Sequence, residues 1–286
     1  MGMKKTEKPV PHESWMSGST PGKNAVMLWP GHPPKSSPGS SFRPWLDPYL
    51  LPSRRRRGMV VVLPGGGYVA RAIHEERPIA RMFNRMGLHA VVVHYRVSPN
   101  RHPAPLMDAA RAVRIVRHRA REWNVDPSRV AICGFSAGGH LAGSLGVHFG
   151  SVPAGVRDTV SRQSCRPDAM VLCYAVISFG IRVSRGSFLN LLGNRPSRSL
   201  QDKMSLERHV RARTPPAFVW TTVEDRMVPI ENSLLFTRAL RARKIPYEFH
   251  AFPRGQHGLG LAPNDPHVAS WTRLCAGFMR TIGMLE

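Results

Sequence analysis

The chain has 286 residues, a hydrophobic fraction of 42% and a formal net charge of +23. This length suits one large α/β domain or two small ones, and no apolar run approaches the roughly 20 residues that span a membrane. The first 20 residues are polar and lack the apolar core of a secretory signal. We therefore expect a cytoplasmic protein in which residues 1–24 form a poorly ordered polar segment.

Arginine dominates the positive charge, because only seven of the 41 basic residues are lysine and 34 are arginine. A guanidinium group favours carboxylate and phosphate partners. However, the only tight run is Arg54 to Arg57, and no zinc-finger or RNP signature accompanies it. We interpret the arginines as a compositional bias spread over solvated faces, and we expect no nucleic-acid partner. The sequence leaves the oligomeric state open.

Short apolar runs alternate with helix-forming segments, which predicts a parallel sheet built from βαβ units. The strands are predicted at residues 25–29, 59–63, 89–95, 130–133, 169–174, 216–222 and 247–252. The helices are predicted at 74–86, 105–123, 141–147, 231–243 and 266–279. The Pro-, Ser- and Gly-rich stretch 33–52 is predicted as a loop. The polar insertion 177–214 interrupts the alternation and is predicted to cover a site.

The four cysteines show no CxxC spacing, and two of them lie in apolar strand-like runs. Cys133 and Cys173 are predicted to be small buried hydrophobic residues, and nothing in the pattern requires or excludes a disulfide. The cysteines are Cys133, Cys165, Cys173 and Cys275.

A serine lies at the turn between the predicted strand at 130–133 and the helix that follows it, in the pattern Gly134-x-Ser136-x-Gly138. In a strand-turn-helix context this pattern indicates a nucleophile elbow, whose glycines allow strand and helix backbones to approach too closely for a Cβ. A serine hydroxyl needs a base, an acid that orients the base, and donors for the oxyanion. Upstream, Gly65, Gly66 and Gly67 follow the strand at 59–63, where an oxyanion loop is expected.

The acid and the base should follow the serine in the order Ser, Asp or Glu, His. Asp225 comes directly after a predicted strand, and we prefer it to its neighbour Glu224. His257 lies in a glycine-flanked loop after the last predicted strand and is the predicted base. His140 and His250 are interpreted as structural, because one lies on the elbow helix and the other inside a strand.

These motifs resemble those of α/β-hydrolase esterases, close to acetyl-xylan esterases and feruloyl-esterase-like carbohydrate esterases and related to the hormone-sensitive-lipase group. The resemblance implies an α/β-hydrolase domain over residues 25–286, with helices on both faces of a mostly parallel sheet and a small cap at 177–214. It implies Ser136 as nucleophile, Asp225 as orienting acid and His257 as base. It also implies that the backbone N–H groups of the following residues bind the oxyanion: Gly66, Gly67 and Ala137. Pro64 stands where lipase-like relatives have a histidine.

The predicted function is hydrolysis of a carboxylic ester through a serine acyl-enzyme, without a metal or organic cofactor. The expected substrate is a small-molecule or oligosaccharide ester with a short acyl group, such as an acetylated sugar or xylan fragment. A bulky ring at Tyr68 is predicted to shorten the acyl pocket if it points inward, and Phe179 or Phe188 of the insertion is predicted to restrict the pocket further. The alternative is that Tyr68 points into the core and that the insertion is a mobile flap. The alternatives are a lipase-like carboxylesterase of broad specificity and a serine peptidase of the prolyl-oligopeptidase type. A binding module on an inactive hydrolase fold is a further alternative, against which the complete Ser, Asp and His set argues.

Overall fold

The computed structural model describes residues 20–180 and 184–286 and is centred on one eight-stranded sheet. The strands are β1 (Val26–Met27), β2 (Trp45–Tyr49), β3 (Arg57–Leu63), β4 (His89–His94), β5 (Val125–Phe135), β6 (Ala169–Cys173), β7 (Ala217–Thr222) and β8 (Tyr247–Phe252). Their order is β1-β2-β4-β3-β5-β6-β7-β8. The pairs β1/β2 and β2/β4 are antiparallel, and every other pair is parallel.

Helices cover both faces of this sheet. Within the described ranges the α-helices are α1 (Arg77–Arg85), α2 (Ala104–His118), α3 (Ser136–His148), α4 (Arg185–Leu192), α5 (Arg198–Lys203), α6 (Glu231–Ala242), α7 (Pro266–Ala269) and α8 (Trp271–Thr281). Alternate residues of the strands enter two separate apolar clusters, as the two-residue period of a strand requires. Helices α2, α3 and α6 pack into one cluster, and α1 and α8 pack into the other. The predicted α/β architecture is therefore confirmed.

The predicted loop at 33–52 is wrong in part, because it contains β2. This strand carries Pro48, which lowers its strand signal in the sequence. Among the described residues, β1 pairs only with Trp45 and Leu46 of β2, so no described strand lies beside Pro48 on the outer edge, a position where a missing N–H is tolerated. The Trp45 ring also stacks on His94 of β4, with centroids 4.3 Å apart. Tertiary packing thus decides this strand.

Several predicted boundaries also shift. The segment predicted as one helix at 74–86 is a 3₁₀ turn, Ile73–Glu75, followed by α1, and the last predicted helix is divided into α7 and α8. Helix α2 ends at His118 and not at residue 123. Residues 1–19 of the predicted N-terminal segment 1–24 lie outside the described residues. Residues 181–183 of the predicted cap also lie outside them.

The expectation that arginines lie on solvated faces is wrong for several of them. Arg96 is fully buried and pairs with Asp108 of α2, with the guanidinium Nη2 2.7 Å from the carboxylate Oδ1. Arg111 and Arg114 are also buried on α2. The four cysteines are free and buried, and the burial predicted for Cys133 and Cys173 is confirmed. Over residues 20–180 and 184–286, no helix has both the length and the apolar character needed to cross a membrane.

Candidate functional site

The turn between β5 and α3 holds Ser136 in a strained backbone conformation, with φ of +52°. Only a surrounding structure that fixes the turn maintains such a conformation in a non-glycine residue. The glycines on either side are needed, as predicted. A Cβ on Gly134 would lie 2.1 Å from the Gly138 carbonyl oxygen, and one on Gly138 would lie 2.2 Å from the Leu63 carbonyl oxygen. The turn thus presses the start of α3 against the end of β3.

The carboxyl ends of β5, β7 and β8 bring Ser136, Asp225 and His257 together. The Ser136 Oγ lies 2.8 Å from His257 Nε2, and His257 Nδ1 lies 2.6 Å from Asp225 Oδ2. A carboxylate only accepts hydrogen bonds, so Nδ1 carries the proton and Nε2 accepts from the serine hydroxyl. The three predicted residues therefore form one continuous hydrogen-bonded chain, in which Nε2 is oriented to take the serine proton.

The two neighbouring acids of this loop have different surroundings. Asp225 is 4% exposed, and its Oδ1 accepts the backbone N–H groups of Met227 and Val228, each at 2.9 Å. Glu224 is exposed and accepts from the amide of Gly255 at 3.1 Å. The structure thus brings Asp225 to His257 and directs Glu224 to the outside of the loop.

The predicted oxyanion loop follows β3 and adjoins the elbow. Gly66 and Gly67 have φ of +122° and +63°, a region that glycine enters without steric cost. Within residues 20–180 and 184–286, the amides of Gly66 and Gly67 donate to no backbone carbonyl. The Ala137 amide lies in the first turn of α3, where helical N–H groups have no acceptor within the helix. These donors are available to a ligand at the elbow.

Three side chains anchor the predicted oxyanion loop from different directions. The Tyr95 hydroxyl donates to the Pro64 carbonyl at 2.6 Å, and Asn190 Nδ2 of α4 donates to the Gly67 carbonyl at 2.8 Å. The Tyr68 hydroxyl lies 2.8 Å from His140 Nδ1. Sequence reasoning did not select Tyr95 or Asn190, because no local motif links them to the loop. Only the packing of β4 and α4 brings them there.

His140 of α3 is buried and joins the loop to the segment before β7. Its Nε2 lies 2.9 Å from the Met204 carbonyl, which can only accept, so Nδ1 is the acceptor for the Tyr68 hydroxyl. Burial lowers the pKa of His140 to about 4, and the neighbouring His102 and His148 add to this effect. This agrees with the predicted structural role of His140.

The rings predicted to line the acyl pocket are not equally accessible. Tyr68 is 1% exposed and Phe179 is 0% exposed, and both pack against the His140 ring, so neither presents a surface to a substrate. For these two residues the predicted pocket role is wrong, because their rings complete the core under the loop. Phe188 of α4 is partly exposed and packs edge-on against Phe179, with centroids 5.5 Å apart. Phe188 stays a predicted pocket residue.

Comparison with known proteins places these features in a family. The BD-FAE family matches residues 46–240. An endo-1,4-β-xylanase B of Butyrivibrio fibrisolvens is 41% identical over 81% of this chain and 37% of its own length. An acetylxylan esterase of Xylanibacter ruminicola is 34% identical over 74% of this chain and 43% of its own length. The chain thus spans less than half of these two curated relatives.

A solved structure supports the same assignment over its full length. The acetyl ester-xyloside bifunctional hydrolase from Caldicellulosiruptor lactoaceticus superposes with a TM-score of 0.89 at 45% identity, covering 94% of this chain and 100% of that one. The carboxylesterase Cest-2923 from Lactobacillus plantarum, at 23% identity and a TM-score of 0.69, shares the fold. Because the BD-FAE match covers more than half of the chain, the predicted α/β-hydrolase fold and esterase resemblance are confirmed, and the chain belongs to the BD-FAE family.

Proposed function

We propose that this protein hydrolyses carboxylic esters through a serine acyl-enzyme. The observation that carries the proposal is the chain of short hydrogen bonds from Ser136 through His257 to Asp225. In the first step His257 Nε2 takes the hydroxyl proton while Ser136 Oγ attacks the ester carbonyl. The Asp225 carboxylate holds the imidazole in the required tautomer and stabilises the imidazolium that forms.

The negative charge of the tetrahedral intermediate needs donors beside the serine. The amides of Gly66, Gly67 and Ala137 are the candidates, because they lie at the elbow and the ordered loop fixes them before the reaction. When the intermediate collapses, His257 gives its proton to the leaving alcohol, and the acyl group stays on Ser136. Water then attacks the acyl-enzyme with His257 again as base, which releases the acid and restores the serine.

The proposed substrates are esters of short acyl groups, such as acetylated sugars or xylan fragments. The names of two relatives, an acetylxylan esterase and an acetyl ester-xyloside hydrolase, support this class. A broad carboxylesterase activity is the second candidate. It is favoured by the match to a probable carboxylic ester hydrolase of Mycobacterium tuberculosis, 28% identical over 76% of this chain.

The test is a substrate panel with the purified protein. It compares kcat/KM for p-nitrophenyl acetate, butyrate and octanoate, for acetylated xylo-oligosaccharides, and for p-nitrophenyl xyloside. Highest efficiency with the acetyl esters supports the proposal, whereas octanoate as the best substrate supports the broad carboxylesterase. Turnover of the xyloside alone, or activity that persists in Ser136→Ala, overturns both esterase candidates.

A further inference from the structure

We infer that Glu75 is a positioning residue that joins the oxyanion loop to the loop carrying His257. The inference rests on the proposed function, since it assigns a role in that reaction to a side chain outside the hydrogen-bonded chain of Ser136, His257 and Asp225. Glu75 closes the 3₁₀ turn Ile73–Glu75 and is 2% exposed. A carboxylate this deeply buried requires strong hydrogen-bond partners, which identify what it holds.

One carboxylate oxygen holds the oxyanion loop. Glu75 Oε2 accepts the backbone N–H of Gly65 at 2.6 Å, a length typical of a strong charge-assisted bond. Gly65 also touches the elbow, because a Cβ built on it would lie 3.1 Å from Ser136 Cβ and 2.8 Å from Glu75 Oε2. The bond therefore fixes the residue from which the Gly66 and Gly67 amides extend, within van der Waals reach of the serine.

The other carboxylate oxygen is linked to the loop that carries His257 through Tyr174, the residue that follows β6. The Tyr174 hydroxyl donates to Glu75 Oε1 at 2.5 Å and accepts the Gly260 N–H at 2.9 Å. Its ring packs edge-on against the His257 ring, with centroids 5.1 Å apart. Burial, together with the Glu75 charge, raises the pKa of Tyr174 well above its usual range, so the hydroxyl remains a donor.

Two further hydrogen bonds hold the loop that carries His257. His74 Nε2 lies 2.9 Å from the Gly258 carbonyl, and Trp271 Nε1 donates to the Gly260 carbonyl at 3.1 Å. Tyr174, whose hydroxyl contacts both Glu75 and Gly260, has φ of +37°, so its backbone adopts a strained conformation. Hydrogen bonds thus connect the oxyanion loop to the loop that carries His257 through a bridge formed by Gly65, Glu75, Tyr174 and Gly260.

The bridge requires two acceptor oxygens on one side chain. A glutamine of the same shape offers one acceptor and one donor group, so it cannot accept both the Gly65 N–H and the Tyr174 O–H. In Glu75→Gln either the bond from the Gly65 N–H or the bond from the Tyr174 O–H is lost while the volume is kept. Displacement of oxyanion donors acts on the transition state more than on the bound ester. We expect kcat to fall about 10- to 100-fold with KM within about threefold of the wild-type value.

The experiment measures kcat and KM for p-nitrophenyl acetate in Glu75→Gln, Tyr174→Phe and the double variant. All rates are normalised to active sites titrated to completion with a fluorophosphonate, and inhibition by a trifluoromethyl ketone, which forms an oxyanion on the serine, is measured in parallel. Both single variants should lose kcat, and their affinity for the ketone should fall by a similar factor. The double variant should lose less than the product of the two losses, because both break one bridge.

Asp168→Asn is the matched control. Asp168 also accepts a backbone N–H, that of Val130 at 2.9 Å, but it lies at the opposite end of the sheet, just before β6. The Asp168→Asn substitution should lower the melting temperature without changing kcat per titrated active site. If Glu75→Gln and Tyr174→Phe behave as Asp168→Asn does, the bridge is only structural and the inference is overturned.

Failure of the inference is distinguishable from failure of the proposed function. An inactive wild-type protein, or an active Ser136→Ala, removes the proposed function itself. A wild-type esterase that needs Ser136 but keeps its kcat in both bridge variants removes only the role of Glu75. If Glu75→Gln does not fold, Tyr174→Phe decides alone, since it keeps the ring and deletes one hydroxyl.

Discussion

The two ends of the sheet each hold a carboxylate, but with different side-chain partners. At the amino end, Asp168 accepts the Val130 amide and pairs with Arg117, whose Nη2 lies 2.7 Å from the carboxylate. At the carboxyl end, Asp225 accepts two backbone amides and His257 Nδ1. Both acids are fixed by backbone donors. They differ in the side chain that donates to them, which is a permanent cation for Asp168 and, in this hydrogen-bonded chain, a neutral imidazole for Asp225.

This difference teaches how the same side chain serves stability or chemistry. Arginine stays charged at any working pH, so the charge of Asp168 is balanced in every state of the protein. In the proposed reaction, the charge of Asp225 gains a full counter-charge only when His257 takes a proton from Ser136. The proposed mechanism therefore makes the interaction stronger in the transition state than in the resting protein, which is the condition for acceleration. Substitutions in the site should test this contrast, and their effects on activity and stability should differ in size.

The largest effect is expected at the nucleophile. Ser136→Ala removes the oxygen proposed to attack the ester, and in a comparable hydrolase such a loss costs about 10⁶ in kcat. The fold should persist, because the change deletes one oxygen at a residue that is only 9% exposed. Steady-state rates with p-nitrophenyl acetate and a melting curve test this. A variant that keeps a tenth of the wild-type rate would remove Ser136 from the reaction.

The next effect is expected at the acid. Asp225→Asn keeps the shape but loses the charge that stabilises the imidazolium, and we expect kcat to fall by about 10⁴. Glu224→Gln is the matched control, because this neighbour accepts only the Gly255 amide on the outside of the loop. Its rate should stay near that of the wild type. Equal losses in the two variants would show that the orientation of the loop, and not the Asp225 charge, matters.

Acid should destabilise the region around the site through His140. Its pKa is about 4 when folded and ordinarily 6.5, so between these values the unfolded chain binds a proton that the native protein does not. The free energy of unfolding is therefore highest above pH 6.5 and falls as the pH drops towards 4, by on the order of 3 kcal/mol for this group.

Denaturant melts between pH 4 and 7.5 test this dependence. The variant His140→Gln should show a flatter profile, whereas His118→Gln, which changes an exposed residue of α2, should keep the wild-type slope. Equal slopes in all three proteins would assign the acid sensitivity to other groups.

The smallest effect is expected at the predicted pocket residue Phe188. If its ring limits the acyl group, Phe188→Ala should raise kcat/KM for butyrate relative to acetate by about 10- to 100-fold, since a pocket discriminates by roughly 1–3 kcal/mol per methylene. Leu189→Ala changes the next residue of α4 and is the control. An unchanged butyrate-to-acetate ratio in Phe188→Ala would place the limit of the acyl pocket elsewhere.

The order of motifs and their chemistry could be read from the sequence. The close approach of strand and helix at the elbow excludes a Cβ at Gly134 and Gly138, so the spacing of these glycines was enough to predict the turn. Strand ends in a parallel sheet converge at one edge, so placing Asp225 and His257 after strands was enough to expect them near Ser136. These features depend on local sterics and on chain order, which the sequence contains directly.

Only the tertiary structure decided which partners fill the remaining positions. Tyr68 was expected in the pocket and instead donates to the buried His140, because side-chain direction depends on what packs below the loop. Glu75 carries no motif, and its meaning comes from Gly65 and Tyr174, which lie 10 and 99 residues away along the chain. Burial of polar groups is permitted only where such partners meet, and that meeting is a property of packing between distant segments.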